Sequence, residues 1–369
     1  LVNNPLAVQC SRGASFCYAA SGFWGISMIP PTTDPTPIFE FFRGSYTTEL
    51  LAAAVAHFNL FGRLALQPMT LAELGKSLEL ADRPTVVLTT ALRAFGLLSM
   101  DTNQRMHLTD QAREHLLPGG PFDVGDYIGL AANSPGVVAT VERLRTNRPA
   151  EHSSGVAFIY REGVASAMED EAAARHFTLA LAGRAKNVAP VLAAKLPLHD
   201  AKLLVDVGGG TGIYSIAFLH VNPQLRAVVV DRPEVLKVAK DMADAHGVAD
   251  RVTLHAADMF RDPLPPGNVV LLSNILHDWD VPECRTLIQR CAASLNSGGQ
   301  LLIHDVFLND ALDGPLPMAL YSAALFTLTE GRLYSAAEYR SWLTEAGLTP
   351  GAVVPTLIHC SVLSARKKP

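Results

Sequence analysis

Residues 203–219 read LLVDVGGGTGIYSIAFL. A short apolar run holding one acid, Asp206, meets Gly208, Gly209, Gly210 and Gly212, and helix-type apolar text follows. That order is strand, turn, helix. Lacking Cβ, the glycines let the turn bend freely and let a ligand approach the main chain. The spacing is GxGxG, not the GxGxxG dinucleotide fingerprint, and no GK[ST] follows, which excludes a phosphate-binding P-loop. Asp231 ends the next apolar run, 19 residues beyond Gly212. An acid there accepts hydrogen bonds from ribose hydroxyls, in a nicotinamide and an adenosyl cofactor alike.

Two further residues tip that balance. In HAADMF, Asp258 ends a third apolar run, where a carboxylate meets an adenine amino group. Met259 beside it is placed to pack on the adenine ring or in the core. Asp206 is placed to receive the ligand's amino group. A cationic sulfonium has less need of a dense phosphate nest than a pyrophosphate has. The set favours S-adenosylmethionine over NAD.

Outward from the turn, strands and helices alternate from Ala201 to the C-terminus. That alternation predicts an α/β fold with a mostly parallel Rossmann-like sheet, closed by a terminal strand pair. Upstream, residues 38–66 carry apolar side chains three or four apart and read as one helical stretch. Thr70 and Glu73 form a capping box, and Asp82-Arg83-Pro84 starts another helix. LLSMDTNQRMHLTD reads as a hairpin turning at 101–104. Short helices followed by a hairpin make a winged-helix-like module. We divide the chain into an N-terminal arm (1–35), that module (36–118), a helical linker and substrate-pocket segment (119–195) and a cofactor-binding catalytic domain (196–369).

Composition narrows the function. At 369 residues the chain is long for one core, given roughly 100–200 residues per domain. The net charge is -5 with no sustained basic run, and helix 84–98 carries only Arg93 as a charge, so nucleic-acid binding is not expected. Five scattered cysteines without CxxC predict neither a disulfide framework nor a zinc site, and point to a reducing, cytoplasmic compartment. The first 35 residues lack a charged leader region and read as an arm; no run approaches the ~20 apolar residues of a membrane span.

The chain resembles the class I methyltransferases, and more closely the small-molecule O-methyltransferases of the caffeate and acetylserotonin type with their bacterial natural-product relatives. VDVGGGTG (205–212), VVVDRPEV (228–235), AADMF (256–260), LLSNILHDWD (271–280), GGQLLIHDVF and EGRLYSAAEYRSWLTEAGL match in order, and the resemblance runs from about residue 38 to 365. It implies a homodimer built on the N-terminal module, S-adenosylmethionine as donor and a small aromatic, hydroxylated acceptor. It further implies His277 as general base, with Asp278 the acid after it. Arg232, Ser273 and Trp279 join the cofactor set. Histidine suits the base role because its unperturbed pKa is near ~6.5.

Two acids usually flank that histidine in the family. Asp305 stands at the first position, shorter than the usual glutamate, and Leu333 at the second. Three readings follow: a His277–Asp305 dyad suffices, the acceptor is acidic enough to need little base, or the methylated atom is carbon. His304 next to Asp305 invites a metal triad, but neighbours on a strand face opposite ways, so no metal site is expected. Tyr127, Phe158, Phe177, Asn274, Met318, Tyr321 and Phe326 are the candidates for an apolar acceptor pocket, with Phe326 equally a core or dimer residue.

Overall fold

The computed structural model describes residues 28–148 and 171–369. Residues 1–27 and Phe158 lie outside them, and so does the side chain of Phe177.

The stretch 38–66, expected as one helix, is broken. Helix α1 (Thr36–Arg43) ends at Gly44, α2 (Tyr46–Ala52) runs into a π-turn at Ala53–His57, and α3 (Leu60–Leu66) starts after Asn59 in left-handed backbone (φ 44°). Three-to-four spacing persists across such breaks, so periodicity alone does not reveal them. The capping box forms: Thr70 Oγ1 accepts the Glu73 N–H at 3.3 Å and Glu73 Oε2 accepts the Thr70 N–H at 2.8 Å. It starts α4 (Leu71–Leu78), and α5 (Asp82–Ala94) follows. A short strand β1 (Met69–Thr70), which the sequence reading missed, joins β2 (Leu98–Met100) and β3 (Arg105–Leu108) in an antiparallel sheet of order β1-β3-β2. The predicted turn is held by Asp101 Oδ1, which accepts the N–H groups of Asn103 and Arg105. Helices α6 (Asp110–His115), α7 (Gly125–Gly129) and α8 (Pro135–Thr146) complete this unit. Residues 83–92 of α5 are buried throughout, so that helix presents no face for a nucleic-acid groove.

Helix α9 (Glu171–Lys195) packs on α10 (Ile213–Val221) and α11 (Pro233–Ala245) and leads into the large sheet. Its strands are β4 (Leu203–Val207), β5 (Arg226–Asp231), β6 (Val252–Ala256), β7 (Gly267–Ser273), β8 (Leu295–Val306), β9 (Leu348–Pro355) and β10 (Cys360–Lys367), in the order β6-β5-β4-β7-β8-β10-β9. The β4–β8 pairings are parallel and β10 runs antiparallel to both neighbours. Helices α12 (Val281–Ser294), α13 (Leu316–Leu328) and α14 (Ala336–Glu345) fill the connections. Chain order reverses between β4 and β7. In an open parallel sheet such a switch point leaves a crevice at the carboxyl ends of the strands.

Helix α13 joins the two units. Its Ala323 and Phe326 sit in the core of the N-terminal unit, while Leu325 sits in that of the sheet. Arg83 of α5 reinforces the joint: its Nη1 donates to the carbonyls of Thr329 (3.1 Å) and Gly331 (3.3 Å). Among the described residues no single helix is long and apolar enough to cross a membrane. The bent pair Thr36–His57 and Leu60–Leu66 meets that criterion only together, and Leu50, Phe61 and Leu64 on it are core residues.

Candidate active site

A cavity of about 960 Å³ opens at the switch point, walled by the ends of β4, β5 and β7, the loop after β6, the 3₁₀ turn Leu276–Asp278 and helices α1, α9 and α13. At its first end the glycine turn carries left-handed backbone at Gly208 (φ 68°), Gly210 (φ 59°) and Gly212 (φ 70°). A Cβ on Gly208 would lie 2.5 Å from Ile275 Cδ1, while around Gly210 the space is open. The turn is pinned from the next strand: Asp231 Oδ2 accepts the Gly210 N–H at 2.9 Å and its Oδ1 the Arg232 N–H at 2.7 Å. Burial raises the pKa of Asp231, against these bonds.

Asp206 accepts the Ser215 hydroxyl at 2.8 Å, and burial pushes its pKa up to about 6. Asp258 closes its own loop, with Oδ1 accepting the Phe260 N–H at 2.8 Å. Met259 is half-buried at the cavity wall, and Trp279 stands edge-on to Phe260 with ring centroids 4.7 Å apart. Asp206, Asp231, Asp258 and Arg232 all line this end, and no lysine does. An end lined by carboxylates and open over a glycine suits an adenosyl group with a cationic sulfonium; a pyrophosphate would meet repulsion there.

The other end holds His277. Its Nδ1 lies 2.6 Å from Asp305 Oδ1. The same oxygen accepts the Val306 N–H at 2.8 Å, and the Tyr339 hydroxyl donates to Oδ2 at 3.4 Å. A carboxylate oxygen only accepts, so Nδ1 carries the proton and the Nε2 lone pair is left for the cavity. Asp278 Oδ1 lies 3.7 Å from Nε2. Burial works against the imidazolium, but the carboxylates of Asp305 and Asp278 outweigh it and raise the pKa of His277. Asp278 is itself pushed up to about 6 by burial, with His277 opposing. The loop behind needs a glycine, since a Cβ on Gly331 would lie 2.1 Å from the His277 carbonyl oxygen.

His304 faces the opposite side of β8 from Asp305, toward Tyr214. The Thr356 hydroxyl donates to the Cys360 carbonyl, so it accepts from His304 Nε2 at 3.1 Å; Nδ1 then accepts from Ser273 at 2.9 Å. Burial lowers the pKa of His304 to about 3. It is a neutral structural residue with both nitrogens engaged. Asn274, in left-handed backbone (φ 56°), lines the cavity and donates to Tyr214 Oη and Ser273 Oγ, each at 3.1 Å.

The proposed acceptor wall is partly corrected. Tyr321 lines the cavity, its ring 5.9 Å from that of His277. Tyr127 does not: it projects from α7 and is 78% exposed, because a short surface helix carries it. Met318 packs against the sheet core outside the cavity wall, one turn too early on α13, and Phe326 is core. Leu333 is fully buried among apolar side chains, so no second acid reaches His277 from that segment. Sequence reading missed Arg43, Arg184, Phe39, Phe42 and Tyr214. The two arginines had a signal: each stands in apolar text, FEFFRGS and LALAGRAK.

Residues 138–349, more than half the chain, match the O-methyltransferase domain family. The chain belongs to that family. It is 34% identical over 326 residues to the 3-hydroxy-5-methyl-1-naphthoate 3-O-methyltransferase of Streptomyces sahachiroi, covering 88% of this chain and 92% of the relative. A crystal structure of an O-methyltransferase family 2 protein from Planctomyces limnophilus, in complex with apigenin, superposes with a TM-score of 0.84 at 46% identity, over 92% of this chain and 98% of that one. Human N-acetylserotonin methyltransferase, solved with S-adenosylmethionine, shares the fold: TM-score 0.56, 21% identity, over 92% and all of the two chains. The chain is thus an S-adenosylmethionine-dependent O-methyltransferase.

Proposed function

We propose that the enzyme methylates a phenolic hydroxyl of a small aromatic acceptor, with His277 as general base. The observation that carries this is the setting of His277: Nδ1 is fixed by Asp305, which leaves the Nε2 lone pair free, and the residue lines the cavity beside Tyr321. Bound at the glycine turn, S-adenosylmethionine supplies an electrophilic methyl group. The chain's own work is to hold the acceptor in line with that methyl and to receive the hydroxyl proton at Nε2. Asp305 stabilises the imidazolium that results. Asp206, Asp231, Asp258 and Met259 are the residues we assign to the cofactor, with Asp278 and Asn274 at the border between the two ends. Apolar walls from Phe39, Phe42 and Leu325 suit a flat ring. The hydroxynaphthoate that one relative methylates and the apigenin bound in the Planctomyces limnophilus structure are both hydroxylated aromatics.

Methylation of carbon, the rival reading, also releases a proton to a base, so the methylated atom has to be read from the product. Incubation with S-adenosylmethionine and a panel of phenols, with the products resolved by NMR, decides between them. An O-methyl product supports the proposal; a C-methyl product, or none across the panel, sinks it.

For the assembly we propose a homodimer. Phe41, Phe42, Tyr127 and Leu130, all at least 78% exposed, form apolar surface on α1 and near α7. A monomer mass at micromolar concentration would remove that proposal. Cys284, Cys291 and Cys360 are buried free thiols, which supports a reducing, cytoplasmic setting.

A further inference from the structure

Resting on the reading of this end of the cavity as the acceptor site, we propose that Arg43 and Arg184 form an anion subsite, and that the acceptor bears a carboxylate on its aromatic frame, held there while its hydroxyl meets His277.

The case begins with charge. The Arg43 guanidinium carbon sits 3.6 Å from the centre of the Tyr321 ring, and that of Arg184 sits 5.4 Å from the same centre. Both residues line the cavity. Arg43 is only 6% exposed, and no acid within ion-pair distance of it is found among the described residues. The acid on its own helix, Glu40, pairs instead with His359 at 2.7 Å. Arg184 donates from Nη1 to Asn274 Oδ1 at 2.8 Å and from Nη2 to Cys360 Sγ at 2.9 Å. Neither partner is an anion, for burial pushes the Cys360 thiol up to about 11. Arg184 Nε is buried without a hydrogen-bond partner among the described residues. The carboxylate whose charge acts on Arg184, that of Asp305, is taken up by His277.

Two like charges therefore share one aromatic ring in a pocket that removes them from water. Burial, joined by the charge of Arg184, lowers the pKa of Arg43 to about 10. Cation–π contact with Tyr321 offsets part of that cost. An unpaired buried charge is expensive, and a planar guanidinium fork is the group best matched to a carboxylate. An anionic ligand group completes the arrangement. Tyr321 also gives the spacing, since its ring touches the arginines and the edge of His277 alike. Hydroxyl and carboxylate thus belong on one small ring system. A neutral polyphenol fills the apolar walls but leaves the two charges unanswered.

The test uses a matched pair: 6-hydroxy-2-naphthoate and 2-naphthol, titrated calorimetrically into the full chain with saturating S-adenosylhomocysteine and assayed for methyl transfer. The expected result is that wild type binds the naphthoate on the order of ten- to a hundredfold more tightly, the worth of charge-assisted hydrogen bonds. Arg43→Met should abolish the preference, costing the naphthoate far more affinity than naphthol, and Arg43→Lys should keep part of it. Equal wild-type affinity for both compounds, or an equal loss for both in Arg43→Met, overturns the anion subsite alone. If S-adenosylhomocysteine binds but neither compound binds or is methylated, the acceptor reading falls and the subsite with it.

Discussion

At the glycine-turn end of the cavity, each polar group lies at or just beyond the carboxyl end of a parallel strand: Asp206 and the glycine turn at β4, Asp231 and Arg232 at β5, Asp258 after β6, Ser273 and Asn274 at β7. At the acceptor end, the groups come from α1, α9 and α13, which lie far apart in sequence and meet through packing between the two units. His277 stands where the two constructions touch. Sheet register fixes the first end to within a hydrogen bond, whereas the second depends on how α1 and α13 seat against each other. On the proposed assignment, the common substrate is held by the most regular structure and the particular substrate by the least regular. Damage at one end should leave the other working, which is what the following changes examine.

The largest effect is expected from His277→Ala. Loss of a general base lowers kcat/KM by on the order of 10²–10⁴-fold for an unionised phenol. S-adenosylhomocysteine affinity should be untouched, because His277 holds no part of the glycine turn. Steady-state kinetics and calorimetry on one preparation check both halves; a parallel collapse of cofactor binding would show that the two ends are not separable.

Asp231→Ala should produce the converse pattern. It removes the acceptor of the Gly210 and Arg232 N–H groups together with the proposed ribose contact. S-adenosylhomocysteine should bind about 10–100-fold more weakly, in line with the loss of charge-assisted hydrogen bonds. The kcat at saturating donor should be kept. A variant that binds the donor normally would remove Asp231 from the cofactor site.

The same contrast explains what the sequence disclosed. Asp206, Asp231 and Asp258 recur at the ends of apolar runs, so their spacing reports a fixed place on a sheet. His277 and Asp305 came from a resemblance, and the strand alternation that separates His304 from Asp305 could be worked out directly. Tyr127 and Met318 went astray because composition cannot tell an aromatic on a surface turn from one in a wall, nor fix the rotation of α13. Arg43 and Arg184 were overlooked for a related reason. A charged residue in apolar text signals a buried cation, but only packing shows that both cations meet one tyrosine. The break of 38–66 into three helices, which aims Arg43 at the cavity, rests on Gly44 and on left-handed Asn59, and periodicity is blind to both.

The smallest effect sharpens the role of the residue on the border. With the pKa of His277 raised by its two carboxylates, the imidazole is a competent base only above that raised value. In wild type kcat/KM should therefore climb with pH along a limb displaced upward from ordinary histidine. Asp305→Asn removes one of the two charges but not the geometry. The Val306 N–H donates to Oδ1, which keeps an oxygen, and not the amide nitrogen, toward His277; the nitrogen would face the Tyr339 hydroxyl, which can accept. Nδ1 thus keeps its proton and Nε2 its lone pair. With less negative charge nearby the imidazolium is less favoured, so the limb should move to lower pH, and the plateau should fall by about tenfold as the protonated base loses stabilisation. An unmoved limb would mean that Asp278, 3.7 Å from Nε2, sets the basicity of His277 and that Asp305 only orients the ring.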